Sequence, residues 1–108
     1  MREQLIADLK SLKVSIPTAN TEVYRGAREV ITAKDELAIE EGALIKNGSI
    51  DGKNAEIRAA QMREFTVMER QNVTEAEDYF EAQKVGLRNL QTELQINLAL
   101  VELVKGDA

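Results

Sequence analysis

The stretch that decides the fold is Asn47-Gly48-Ser49-Ile50-Asp51-Gly52-Lys53-Asn54, near the middle of a chain of 108 residues. Its two glycines permit positive φ angles, and its small polar side chains can hydrogen-bond to nearby backbone groups. It is the only strong turn signal in the sequence. Because similar lengths of chain lie on either side, the stretch predicts two arms of comparable size joined by one turn, at about residues 47–53.

A strict seven-residue repeat of aliphatic residues runs through the first arm, about residues 2–46. The repeat, taken as position a of a heptad, is Leu9, Ile16, Val23, Val30, Leu37 and Leu44. Such a repeat is typical of a helix that packs along a seam against another helix. At position d, leucine gives way to Ala19, Gly26 and Ala33, so a partner helix can approach closely there.

The second arm, about residues 54–105, carries a similar but less pure repeat. From Ala59 and Thr66 it continues through Val73, Phe80, Leu87, Leu94 and Val101. Three polar residues, Glu69, Gln83 and Asn97, interrupt its d positions. Phe65 and Tyr79 widen the apolar stripe on one side, which is typical of a helix with more than one neighbour.

These patterns predict an all-α fold, an antiparallel hairpin of two long helices in a single domain over residues 1–108. Asn54 is the expected N-cap of the second helix, and Gly106 its expected end. Pro17 removes a backbone donor, so we expect the first helix to kink or break there. Gly86 is the expected weak point of the second helix.

One helix pair leaves apolar residues uncovered. Ile31, Ala38 and Ile45 lie off the first seam, which predicts self-association, most simply as a dimeric four-helix bundle. The alternative is a monomer that folds back into a shorter bundle of three or four helices through breaks at Pro17 and Gly86.

The composition argues against an enzyme. The chain has no histidine, cysteine or tryptophan and a net charge of −5, which removes the usual zinc, haem and iron–sulfur ligands and the Ser-His and Cys-His dyads. Glu36 and Glu40 share a helix face, but di-metal carboxylate bundles also use histidine. The turn fails as a calcium loop because Arg58 takes the place of the bidentate glutamate. We therefore expect no cofactor and no metal.

The sequence also predicts a cytoplasmic location. The first residues lack the basic start and apolar run of a signal peptide. The most apolar segment, residues 96–104, is too short to span a bilayer.

Two charged clusters are candidate binding sites. The acidic surface, a candidate for partner binding, consists of Glu75, Glu77, Asp78 and Glu81. The alternative partner surface is the exposed tip from Asn47 to Lys53. The basic residues that form a weak candidate for nucleic-acid contact are Lys53, Arg58, Arg63 and Arg70. Nucleic-acid affinity depends on clustered positive charge, which an acidic chain opposes. Because Glu56, Glu64 and Glu69 interleave with the basic residues, ion pairing within the helix explains that strip.

The segment Asp51-Gly52-Lys53-Asn54-Ala55-Glu56-Ile57-Arg58 resembles a turn motif in small helical proteins encoded by bacteriophages and prophages. The resemblance covers the turn and about ten residues of helix; the arms are similar only in their periodicity. It implies an inter-helix turn and N-cap, and it brings no enzymatic role. With the heptads, it suggests a non-enzymatic protein-binding factor of a phage or prophage, either an accessory protein or a stoichiometric inhibitor of a host defence protein, inside a bacterial cell. The alternative is an accessory to phage recombination or replication with weak single-strand nucleic-acid contact.

Overall fold

The computed structural model describes residues 1–106, which are almost entirely helical. Helix α1 spans Arg2–Lys46, α2 spans Ala55–Phe65 and α3 spans Val67–Gly106. The two long helices, α1 and α3, pack against each other. The prediction of an all-α fold built on two long helices is thereby confirmed, with one additional short helix.

The described chain divides into two compact units. The terminal unit combines Met1–Arg25 with the chain from Glu81 onward, and the turn unit is Gly26–Phe80. In the terminal unit the first half of α1 packs on the second half of α3, and Leu12 is its most buried apolar residue, 3% exposed. In the turn unit the core contains Ala33 and Leu44.

The heptad positions form the least exposed face of α1. Every a position from Leu9 to Leu44 is buried or half-buried, and so is every d position from Leu5 to Glu40. The close approach expected at the small d residues occurs at Gly26, where an added Cβ would lie 3.2 Å from Cα of Phe80, tighter than an ordinary van der Waals contact. Helix α1 therefore uses its repeat as the sequence suggests.

The repeat of the second arm faces inward along most of α3. Val73, Phe80, Leu87, Leu94 and Val101 are all half-buried. The polar d residues face the same way: Glu69 and Gln83 are half-buried and Asn97 is buried. The interface between the long helices thus contains polar side chains contributed by α3.

Pro17 does not break the first helix, which excludes the break among the two expected alternatives, a kink or a break. Helix α1 is continuous from Arg2 to Lys46 with Pro17 inside it. The proline leaves the carbonyl of Lys13 without its usual donor, but both residues are exposed, so water can hydrate that carbonyl. The next carbonyl, that of Val14, accepts a hydrogen bond from Oγ1 of Thr18 at 3.0 Å.

The second arm is interrupted at Thr66 and not at Gly86, so that expectation was wrong. Thr66 has φ −116° and ψ 26°, outside the helical range, whereas Gly86 lies within α3. The backbone bonds nevertheless continue through the interruption, from Thr66 N to Met62 O at 3.1 Å and from Arg70 N to Thr66 O at 2.9 Å. Since neither Pro17 nor Gly86 ends a helix, the chain does not fold back through breaks at these two positions, and the oligomeric state stays a prediction.

Candidate protein-interaction site

The turn between α1 and α2 is held by its own side chains. Gly48 adopts φ +80°, the left-handed conformation that glycine tolerates best. Oδ1 of Asn47 accepts hydrogen bonds from the backbone N–H of Ser49 at 2.9 Å and from its hydroxyl at 2.6 Å. The chain therefore leaves α1 in a fixed direction.

Gln61, a residue that the sequence did not single out, clamps the end of this turn. Its Nε2 donates to Oδ1 of Asp51 and its Oε1 accepts from the N–H of Gly52, both at 2.8 Å. Arg58 Nη1 donates to the carbonyl of Gly52 at 3.1 Å. Asn54 caps α2 by accepting from the N–H of Ile57 at 2.9 Å, as predicted. The residues of the turn motif thus have structural roles in ordering the turn.

Gly52 is required here by space and not by its backbone angles. A Cβ at this position would lie 2.5 Å from Cγ2 of Ile57 and 2.9 Å from Oε1 of Gln61.

Beside the turn, an open depression of about 340 Å³ is lined by Ile45, Ile50, Arg58, Ala59 and Met62. The turn therefore presents a pre-ordered apolar recess with one guanidinium group at its edge.

The four residues of the acidic surface are all exposed. Glu75 accepts a hydrogen bond from Nε2 of Gln71 at 3.1 Å, and Glu81 pairs with Lys84. Within residues 1–106, no ion pair involves Glu77 or Asp78. The four carboxylates therefore give this part of α3 a negative charge that is only partly neutralised by Lys84 and is spread over about 160° of the helix circumference.

The four basic residues are not brought together on one face. Arg58 and Arg63 lie five residues apart on α2, which places them about 140° apart around the helix axis. Arg58 points back to the turn, while Arg70 contacts Oγ1 of Thr66 at 2.9 Å and Glu41 of α1 at 3.6 Å. The predicted ion pairs with Glu56, Glu64 and Glu69 do not occur in the described chain. The geometry therefore provides no continuous phosphate-binding strip.

The apolar surface left in water is large. Among residues 1–106, fifteen large hydrophobic side chains are exposed. On the outward face of α1, Ile31 is 59% exposed and Ile45 is 65% exposed, with exposed Ala38 between them. We call these three residues the outer stripe. They are spaced seven residues apart along one helix face, and Ile45 at the end of the stripe also lines the recess beside α2.

Two polar groups are buried without a hydrogen-bond partner in the described residues, Oε2 of Glu69 and Nδ2 of Asn97.

Thr66, which the sequence suggested only as an ordinary seam residue, is fully buried, and its hydroxyl donates to Met62 O at 2.6 Å. The hydrophobic pattern around it gives no sign of this bond. Only a threonine within an aliphatic repeat hints at it.

Neither a metal site nor a membrane-spanning helix occurs in the part of the chain that the structure describes. Among residues 1–106 there is no group of three or more acidic, histidine or cysteine side chains placed to hold a metal ion. No helix within that range is both long and apolar enough to cross a membrane.

No protein-family model, curated protein or solved structure matches the chain.

Proposed function

We propose that this protein is a non-enzymatic interaction factor that self-associates and binds a second protein through the acidic surface. The observation that carries the proposal is the set of large apolar side chains left exposed on the helices, among them Ile31 at 59%, Ile39 at 71% and Ile45 at 65% exposure. Large exposed apolar patches are typical of protein–protein interaction sites.

Self-association accounts for the apolar part of that surface. A specific interface covers about 800 Å² on each partner, and an obligate one covers more. Light scattering on the purified protein tests this step. We expect a mass of about 24 kDa, twice the 12.0 kDa of one chain, and a mass of 12.0 kDa at micromolar concentration would contradict it.

The acidic surface is the proposed site for the second protein. Its carboxylates are exposed and belong to adjacent turns of α3, so they suit a basic partner surface and would speed its association. The resemblance of the turn to phage and prophage proteins supports an accessory factor or a stoichiometric inhibitor of a host defence protein, acting inside a bacterial cell.

The test is affinity capture from bacterial lysate with three forms of the protein. In one variant, Glu75, Glu77, Asp78 and Glu81 are all replaced by lysine. In the control variant, four other exposed acidic residues are replaced in the same way: Glu29, Glu64, Glu93 and Glu102. Each variant breaks one ion pair three residues apart on α3, Glu81–Lys84 or Glu102–Lys105.

We expect a partner recovered in stoichiometric amount with the wild type and the control, and lost with the first variant. Equal recovery by all three forms would exclude the acidic surface. Recovery that disappears after nuclease treatment would instead support the nucleic-acid alternative.

A further inference from the structure

We infer that the apolar recess beside the turn is a docking site for a segment of a second protein in which a large apolar side chain stands next to an acidic one. The apolar side chain fills the recess, and the carboxylate pairs with the guanidinium group of Arg58. The inference goes beyond the proposed function, because it concerns other residues than the acidic surface and a partner segment of the opposite charge. It depends on residues of the turn unit alone.

The recess is formed by the end of α1, the turn and α2. Apart from Arg58, every residue that lines it is apolar. Ile50 and Met62 are half-buried, whereas Ile45 and Ala59 are exposed. Its volume of about 340 Å³ lies at the lower end of the range of ligand sites, about 300–1,000 Å³. The recess therefore suits a large apolar side chain of a partner that arrives from solvent.

The hydrogen bonds of the turn fix the recess before any partner binds. Gln61 bonds to Oδ1 of Asp51 and to the N–H of Gly52, both at 2.8 Å. Arg58 Nη1 donates to the carbonyl of Gly52 at 3.1 Å. These bonds tie the segment that carries Ile50 to α2. Since little of the site has to become ordered on binding, less of the favourable free energy of contact is lost.

Arg58 is a cation without a carboxylate partner among residues 1–106. An ion pair along the helix would need an acidic residue three or four positions away. Those positions hold Asn54, Ala55, Gln61 and Met62. A guanidinium group has several N–H donors, and within the described residues only Nη1 is used, by the carbonyl of Gly52. The other donors of Arg58 are therefore available to a carboxylate of a partner.

The chemistry of the recess favours a peptide segment over a nucleic acid. Its lining has no aromatic ring on which a base could stack. The nearest basic residues do not add to its charge, because Arg63 is turned about 140° around α2 from Arg58 and Arg70 pairs with Glu41. A single guanidinium group beside aliphatic side chains suits one carboxylate, which it can bind through two parallel hydrogen bonds.

NMR of methionine methyl groups tests the inference, because Met62 lines the recess and Met68 does not. The labelled protein is titrated to millimolar concentration with the capped peptides Gly-Leu-Glu-Gly, Gly-Leu-Gln-Gly and Gly-Leu-Lys-Gly. We expect the Met62 signal to shift with the glutamate peptide, which should bind about three- to tenfold more tightly than the glutamine peptide. The lysine peptide should bind most weakly. The signal of Met68, which is 69% exposed, should stay in place.

Two pairs of variants assign the binding to the recess. Ala59→Glu places a carboxylate in the lining without removing a bond of the turn, and should weaken the glutamate peptide on the order of tenfold. Its control is Ala60→Glu, since Ala60 is also exposed but is turned about 100° around α2. Arg58→Gln should abolish the preference for glutamate over glutamine. Its control is the exposed Arg28→Gln, which should keep that preference. Circular dichroism checks that each variant is folded.

The possible contrary results are distinct. A Met62 signal that no peptide moves at millimolar concentration would overturn the inference. Equal affinity for the three peptides would overturn the acidic partner. A Met62 signal that shifts when the protein alone is diluted would show that a second copy covers the recess, since Ile45 also belongs to the outer stripe, and would overturn the inference too. None of these results changes what lysate capture shows about the acidic surface, so the two proposals fail separately.

Discussion

Gly26 provides the most direct test of how α1 and α3 pack in the turn unit. An added Cβ would lie 3.2 Å from Cα and 3.3 Å from Cδ1 of Phe80. The first of these atoms is backbone, so it cannot rotate out of the way. Gly86 is the matched control, because it also lies inside a helix but a Cβ there meets nothing within 4 Å.

The two substitutions by alanine have different expected effects on the free energy of unfolding. In a helix interior, alanine is more favourable than glycine by about 0.8–1.0 kcal/mol. Gly86→Ala should show that gain in full, which is about a fivefold increase in the folding equilibrium constant. At Gly26 the same gain is opposed by overpacking against Phe80, which costs about 1–3 kcal/mol. We therefore expect Gly26→Ala to be between neutral and about 2 kcal/mol less stable than wild type.

Urea unfolding followed by circular dichroism measures both effects. All proteins are compared at one protein concentration, because self-association would make the midpoint depend on concentration. If Gly26→Ala stabilises the protein as much as Gly86→Ala does, the close contact between α1 and Phe80 is absent and the packing described for the turn unit is wrong.

Two further predictions concern polar groups in the interior. Thr66→Val keeps the shape of a fully buried side chain but removes its hydrogen bonds to Met62 O and Arg70 Nε. We therefore expect the free energy of unfolding, measured in urea, to fall by about 1–3 kcal/mol. The control is Thr74→Val, which removes an exposed bond of the same kind and should change the free energy of unfolding by less than about 0.5 kcal/mol. Asn97→Leu removes a buried amide whose Nδ2 has no partner in the described chain. We expect the free energy of unfolding to rise by about 1–3 kcal/mol, and the thermal midpoint to rise with it. A lower midpoint would indicate that this amide is hydrogen-bonded.

The parts of the fold that sequence predicted well are those that depend on periodicity. A seven-residue repeat over six consecutive positions fixes which face of α1 is buried, since every side chain on that face has the same environment. The turn was equally predictable, because glycine and asparagine have few other roles between two long helices. The N-cap at Asn54 follows from the same local chemistry and needs no tertiary contact.

The helix interruptions were less predictable, because tertiary packing outweighs local propensity. Pro17 and Gly86 are among the weakest helix formers in the arms, yet each lies within a continuous helix. The interruption occurs at Thr66, whose propensity is ordinary. Its hydroxyl lies 2.6 Å from Met62 O, but Thr18 and Thr74 make the same kind of bond inside unbroken helices. What distinguishes Thr66 is its complete burial, which no local pattern in the sequence indicates.

The candidate site was only partly predictable for a related reason. The exposure of the acidic surface follows from its charge. The dispersal of the basic residues depends on single contacts between distant parts of the chain, such as Arg70 with Glu41 and Arg58 with the carbonyl of Gly52. Gln61 reaches back nine and ten residues to Gly52 and Asp51, a distance at which no sequence repeat operates.

The placement of the aromatic residues connects the composition with the proposed function. The chain has only two phenylalanines and two tyrosines, and none of them is buried: Tyr24 and Phe65 are more than half exposed, while Tyr79 and Phe80 are half-buried. Phe80 packs against Gly26 on the seam, where the missing side chain leaves space for its ring. Aromatic side chains contribute more to a protein interface than most other residues, so the two that are more than half exposed, Tyr24 and Phe65, are placed where a partner can bind them.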